Sequence, residues 1–421
     1  MGPFFLIKLR LNLQKTASIF ANFALYILSA RLFVFKGLLG SDPRPFYTRV
    51  MSAIYNTVWG YALAACMLLG GRLAMAQSEA EQAATSYSLR GFWDLYYGYD
   101  FNLPEGRARQ PFLYNHNRHH AVQLNLGLMS LGFEHARYRG SLSLQIGTYA
   151  ADNYAEEPGL LKHLFDAYVG VFLNSRRSLV LDLGVLPSHI GFESAVSSQN
   201  FTLTRSLLAE NSPYYLSGAQ LQYNMGNWEL AGLILNGWQR IRVHPNHILP
   251  SLGTRATYTS KRGAVWNWST FVGSNDPDTS RRARYFSNFF VVMPVKTGFS
   301  FIAGLDIGMQ QKSPNALSYQ GWMSPVIMGQ FTLNPRWKMA CRLEHYTDPE
   351  SVIIAPINSY AFNATGYSLN LDYTLRKQVL LRLEGRYLSG ADPIYAYPSG
   401  YRTHQFFLVT SLSVEIPGVQ K

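Results

Sequence analysis

The stretch "YNHNRHH", Tyr114 to His120, sets three histidines, two asparagines and an arginine in seven positions. Residues of these types could hold a metal or contact nucleic acid. On a strand, His116 and His120 would share a face but stand ~13 Å apart. Two nitrogens bound to one zinc each lie only ~2.0 Å from it. His119 and His120 would point to opposite faces, and no Cys or acid within the heptad completes a ligand set. We read the heptad as a loop entering a strand, with no metal and no cofactor. A second group, Ser188, His189 and Ser206, has the residue types of a hydrolase. A triad needs nucleophile, base and orienter within reach, and the chain has no G-x-S-x-G elbow. A third group, Glu193, Arg205 and Glu210, lies in the longest connection, Pro187 to Tyr214. There the charges either act on passing ions or pair to hold the segment, and "LTRSLLAE" is read as two helical turns.

The elements that position these groups are strands. After the heptad, Val122, Leu124, Leu126 and Leu128 alternate with Gln123, Asn125, Gly127 and Met129, the period of a β-strand. Sixteen such stretches succeed one another: 86–100, 118–136, 140–151, 163–174, 178–187, 215–225, 227–238, 250–260, 263–274, 284–294, 297–310, 319–333, 336–347, 360–375, 377–390 and 403–416. Most reach the ~9–11 residues that a tilted strand needs to cross a bilayer. Short connections ("RYRG", "NSRRS", "MGN", "NPR") alternate with long ones ("SNDPDTSRRAR", "TDPESVIIAPINSY"). Short turns at one end and long loops at the other mark a transmembrane antiparallel β-barrel of about 16 strands, with 14–18 compatible. The basic short turns are read as solvated hairpin tips.

The strand faces assign an interior. Leu343 opposes Lys338, Arg342 and Glu344; Leu369 and Leu371 oppose Asn370 and Asp372; Leu381 and Leu383 oppose Arg382, Glu384 and Arg386. Asp306 opposes Leu305 and Ile307 in the same way. Charge at the bilayer midplane costs several kcal/mol on a lipid face, so these polar residues are expected to look inward. With Glu193, Arg205 and Glu210 they are the candidates for lining or constricting a pore. The seventh and tenth stretches are apolar on both faces and have no orientation from sequence.

Composition agrees. Of 421 residues, 14% are aromatic and only 15% charged, against roughly 25% in soluble domains. No apolar run reaches the ~20 residues of a spanning helix. The net charge of +12 concentrates in residues 1–76, which hold eight bases and one acid, leaving +5 for the rest. That excess, without a basic run, argues against nucleic acid. An apolar segment ends in Ala74-Met75-Ala76, a small-x-small cleavage site. Residues 1–76 are thus expected to be an extension and signal peptide, and 77–421 one barrel domain with no N-terminal plug. Cys341 would then be the lone cysteine of the mature chain.

At "LYNHNRHHAVQLNLGLM", "EPGLLKHLFDAYVGV" and the block from "LDLGVLPSHIGFES" to "YYLSGAQLQY", the chain resembles the OmpL-like β-barrel porins of Gram-negative outer membranes. "LILNGWQRI" and "YQGWMSPVIMGQFTLNPRWKMACRLEHYTDPESV" extend the resemblance over nearly all of residues 86–416. The ending "SVEIPGVQK" departs from the terminal aromatic common in such barrels. The resemblance implies a pore for passive diffusion of small hydrophilic solutes, in contact with outer-membrane lipid, with a homotrimer left open. It also implies that a long loop folds inward to narrow the channel. Two rivals are a barrel hydrolase with its site at the outer mouth and a structural or adhesive barrel closed by its loops.

Overall fold

The computed structural model describes residues 84–105, 108–296 and 298–420. Residues 1–83 lie outside it, and with them Cys66, the signal segment and its cleavage site. The strands are β1 (Ser86–Asp100), β2 (Val122–Glu134), β3 (Tyr138–Ile146), β4 (Leu164–Phe172), β5 (Leu179–Pro187), β6 (Tyr215–Met225), β7 (Trp228–Leu235) and β8 (Ser251–Thr259). They continue with β9 (Val265–Gly273), β10 (Arg284–Lys296), β11 (Phe299–Gln311), β12 (Tyr319–Thr332), β13 (Trp337–Asp348), β14 (Phe362–Arg376) and β15 (Val379–Gly390). A hairpin, β16 (Tyr395–Tyr397) with β17 (Gly400–Arg402), stands apart before β18 (His404–Gln420). Each barrel strand pairs antiparallel with its neighbours, and β1 pairs with both β2 and β18. The sheet closes at sixteen strands, so it has no free edge. None of the described helices is long and apolar enough to cross a membrane.

All sixteen expected stretches are strands, with shifted ends. The second begins only at Val122, so the histidine heptad is loop. The third stops at Ile146, because Gly147 takes φ 113° and Thr148–Asn153 form a short helix, α1. The helix expected in "LTRSLLAE" is one turn, α2 (Leu207–Glu210), capped where Ser206 Oγ accepts from the Ala209 amide at 3.2 Å. Gly226 at φ +60° makes the two-residue turn between β6 and β7, a conformation that costs a side-chain-bearing residue more.

Alternation sorts the faces. Leu369 is 59% exposed on the outer surface while Asn370 beside it is fully buried inside. Leu381 and Arg382 divide in the same way. Free Cys341 sits on the outer face. Aromatic pairs band the outer surface near the short turns, among them Trp228–Tyr258 at 4.9 Å and Trp337–Tyr373 at 4.6 Å. Such rings suit the membrane interface.

The two strands without an orientation now have one. On β7, Leu230 and Ile234 face outward, and Ala231, Leu233 and Leu235 join an interior cluster with Ile190, Leu203 and Leu207. On β10, Phe289 faces outward, while Phe290 meets Phe192 at 5.5 Å and Val292 packs near Leu208 and Ala209. Both strands are apolar twice over because one face is the barrel's apolar exterior and the other packs on an apolar loop.

Candidate functional site

That loop, residues 188–214, joins β5 to β6 and folds into the barrel. Its entry is pinned to the wall by backbone-directed bonds. His189 Nε2 donates to the Thr270 carbonyl at 2.9 Å, and the Gly191 amide donates to Asn288 Oδ1 at 3.1 Å. Asn288 Nδ2 in turn donates to Asp306 at 2.6 Å. Asp306 therefore stands behind the loop, 2% exposed, instead of facing an open pore.

On the far wall, β13, β14 and β15 present the charged ladder expected from sequence, and the loop backbone satisfies it. Arg382 bonds both carboxylate oxygens of Asp372, at 2.7 and 3.1 Å, and donates to the carbonyls of Asn200 at 3.0 Å and Phe201 at 3.2 Å. Arg342 donates to Thr202 Oγ1 and the Thr204 carbonyl, both at 2.6 Å, and to Glu384 at 2.9 Å. Glu384 accepts from the Thr204 amide at 2.6 Å, Asn370 from the Leu203 amide at 2.9 Å, and Glu344 from the Leu207 amide at 2.6 Å. Arg386 pairs with Glu344 at 2.6 Å and donates to the Arg205 carbonyl at 3.0 Å. Charge removed from water persists only when paired and hydrogen-bonded, and here the loop supplies many of the partners.

The interior placement of these residues is as read from sequence, but most do not line open water. Arg342, Glu344, Arg382, Glu384 and Arg386 are at most 3% exposed. Of the nine strand candidates, Lys338 is the exposed one; with Asp372 it borders a cavity of about 250 Å³ at the short-turn end. The loop charges behave differently again. Glu193 accepts from the Ser206 amide at 3.1 Å and from its hydroxyl. Arg205 lies 4.1 Å over the Tyr214 ring. Glu210 accepts from the Tyr114 amide at 2.9 Å and the Tyr214 hydroxyl at 2.8 Å. Glu193 and Arg205 hold loop 188–214 to itself, Glu210 also ties it to the loop that carries Tyr114, and all three sit in a packed interior.

Sequence reading missed Asp94 and Ser197, and found no partner for His116. Asp94 Oδ2 lies 2.8 Å from His116 Nε2 and accepts from Ser197 Oγ at 2.9 Å, tying β1, the heptad loop and loop 188–214 together. Asp94 alternates with Trp93 and Leu95 in "FWDLYY", so the same face rule would have found it. The heptad's other rings bond locally, His120 to the Tyr97 hydroxyl at 2.7 Å and His119 to the Asp100 amide at 2.9 Å.

Beneath the loop a second, larger cavity of about 580 Å³ opens at the short-turn end, lined by Arg90, Ser130, Ser143, Asp166, Gln199 and others. Toward the long-loop end the interior is apolar, with Phe112, Leu113, Ile354, Ile394 and Tyr395 in the same cluster as Leu203.

A family model described as "Putative beta-barrel porin-2, OmpL-like" matches residues 86–416. The chain belongs to this family. The match begins at the first residue of β1 and ends within β18, so it covers the barrel strand for strand. An anion-selective porin from Comamonas acidovorans superposes with TM-score 0.54 at 9% identity, covering 79% of this chain and all (100%) of that one. OmpT of Vibrio cholerae, an outer membrane protein in its trimer form, gives TM-score 0.53 at 6% identity, covering 79% of this chain and 100% of that one. At such identities the likeness is one of fold. Comparison with curated proteins gives no match.

The seat of loop 188–214 is expected to depend on pH. Burial pushes the His189 imidazole down to about 4, outweighing its bond to Thr270. A depressed histidine contributes stability above its ordinary value of ~6.5 and loses it as pH falls toward the folded value, ~3 kcal/mol in all. Glu193, whose carboxyl burial raises from its ordinary value, works in the opposite direction, so a histidine variant is needed to isolate the effect. Hydrogen exchange of residues 188–195, corrected for its intrinsic pH dependence, should accelerate on acidification in the parent and much less in His189→Gln. Equal acceleration in both would remove His189 from the seat.

Proposed function

We propose that this barrel lets small hydrophilic solutes cross the outer membrane passively, with loop 188–214 as its constriction. The observation that carries the reading is the placement of that loop. It crosses a closed barrel whose outer face suits lipid and whose short-turn half opens to water as polar cavities. Interior charges of both signs, clamped around one segment, leave little reason for marked selectivity by sign alone. Purified protein in a planar bilayer should give discrete, long-lived current steps; a protein that inserts and carries no current would end the proposal.

A second reading has its own support. Leu203 and Leu207 are fully buried, as core residues are, which favours a structural barrel closed by its loops. The same recording separates the two. We read neither as an enzyme: His189 directs Nε2 to Thr270 and Ser206 directs its hydroxyl to Glu193, a different arrangement from a serine bonded to its base.

Export by a cleaved signal, a single barrel domain over 77–421 and homotrimeric association belong to the same proposal. Protein taken from outer membranes should begin at Gln77, the residue after Ala74-Met75-Ala76. N-terminal sequencing that found residues 1–50 on the folded barrel would overturn that assignment. Cross-linking in mild detergent should yield a three-fold ladder, and a single monomer band would remove the trimer.

A further inference from the structure

The larger cavity has one wall whose chemistry the loop leaves unused. Strand register sets Arg90 of β1 opposite Ser130 of β2, Ser130 opposite Ser143 of β3, and Ser143 opposite Asp166 of β4. All four side chains line the cavity. One rung across four neighbouring strands therefore reads cation, hydroxyl, hydroxyl, anion. Strands spaced 4.7–4.9 Å apart put the two ends of the rung ~14 Å apart at the backbone, and the long arginine stem shortens that gap between charges.

The anionic end is incomplete. Asp166 is only 7% exposed, and its Oδ1 has no hydrogen-bond partner in the protein. A buried carboxylate oxygen without a donor is costly, and this one borders a cavity that can bring a donor to it. The two serines are already linked, Ser143 Oγ donating to Ser130 Oγ at 2.8 Å, and keep lone pairs for a ligand. Arg90 is exposed.

Of the other charges lining the cavity, Glu415 accepts from the Ser198 hydroxyl and two more are paired with opposite charges. Arg139 bonds Asp182 at 3.0 Å across Gly170, where a Cβ would fall 2.0 Å from the carboxylate. Glu134 is paired with Arg177. Below the rung, Gly132 lies opposite Ser88 and Ser141, and a Cβ there would fall 2.8 Å from Ser88 Oγ.

We propose that this rung binds a zwitterionic solute of the short-peptide class. Its carboxylate would sit on the Arg90 guanidinium, its ammonium on Asp166, and its peptide groups against Ser130 and Ser143. A simple anion or cation satisfies one end and leaves the other bare. A single α-amino acid is too short to touch both. The inference deepens the channel reading by naming a class of solute, but the binding itself can be measured without any current.

The test uses full-length protein extracted from outer membranes in detergent, with triglycine as the probe and saturation-transfer NMR as the readout. N-acetyl-triglycine lacks the ammonium, and triglycine amide lacks the carboxylate. Each should bind about tenfold more weakly than triglycine, as expected for the loss of one charge-assisted contact. Asp166→Asn should erase the difference between triglycine and its acetylated form, and Arg90→Gln the difference between triglycine and its amide. Both variants are first required to match the parent in circular dichroism and gel mobility; Asp166 has no protein partner on Oδ1 to lose. Equal affinity for all three probes, no triglycine binding, or discrimination unchanged in the variants would each overturn the proposal. Triglycine binding by a barrel that carries no current keeps this site and removes the channel. Current without triglycine binding does the reverse.

Discussion

Deleting residues 195–209, with a short glycine linker in their place, should raise single-channel conductance several-fold if the barrel conducts as proposed. The segment removed spans the interior from Ser197, bonded to Asp94 on β1, to Leu207, bonded to Glu344 on β13. A sixteen-stranded barrel without it is wide enough for an aqueous channel. The exposed wall would then present Arg342, Arg382 and Arg386 against Glu344, Glu384 and Asp372, three charges of each sign. Selectivity should therefore stay weak while current grows. For Arg205 the sequence leaves two roles open, acting on passing ions or pairing to hold the segment. Arg205 is 6% exposed and stacked on Tyr214, so Arg205→Glu should loosen the loop before it tunes any ion. Conductance of the deletion within error of the parent would sink the constriction and leave a barrel closed elsewhere, by the loops that carry Phe112, Ile354 and Tyr395.

Leu381→Arg should lower the folded yield of the barrel, and its neighbour Arg382→Leu should not, yet the second variant should lose its loop. Leu381 faces outward, and in the proposed outer-membrane setting an arginine there would cost ~2–4 kcal/mol at the midplane. Sequence alone makes Arg382→Leu the harmless member of the pair. The structure makes it costly in another place. Leucine leaves Asp372 without its cation and the Asn200 and Phe201 carbonyls without a donor. Breaking a buried pair of this kind costs ~3–5 kcal/mol, and here the loss falls on the loop's seat, because the strand ladder does not use the side chain. Gel mobility reports folding, and trypsin cleavage after Arg205 reports the loop. Equal folded yields would show the strand faces reversed; a loop in Arg382→Leu as protected as in the parent would show the clamp to be unnecessary.

The sequence by itself determined the barrel. Period-two alternation and the strict exchange of short turns with long loops place all sixteen strands to within a few residues, and they place Leu381 outside and Arg382 inside. They could do so because each rule is local: a strand's side chains alternate whatever its neighbours are. Strand ends were less legible where a glycine intervened, as at Gly147, since the backbone turn there depends on how the residues after it pack. Only the tertiary structure decided what the interior polar residues meet. Arg342, Glu384 and Asn370 read from sequence as lining or constricting a pore, and in the structure they bond a segment more than a hundred residues earlier in the chain. β7 and β10 had no orientation for the same reason, since the surface covering their inner faces is that segment. Arg90, Ser130, Ser143 and Asp166 are ordinary residues in four separate stretches of sequence. Register alone puts them on one rung, because pairing between strands is fixed by turn lengths and closure of the whole sheet.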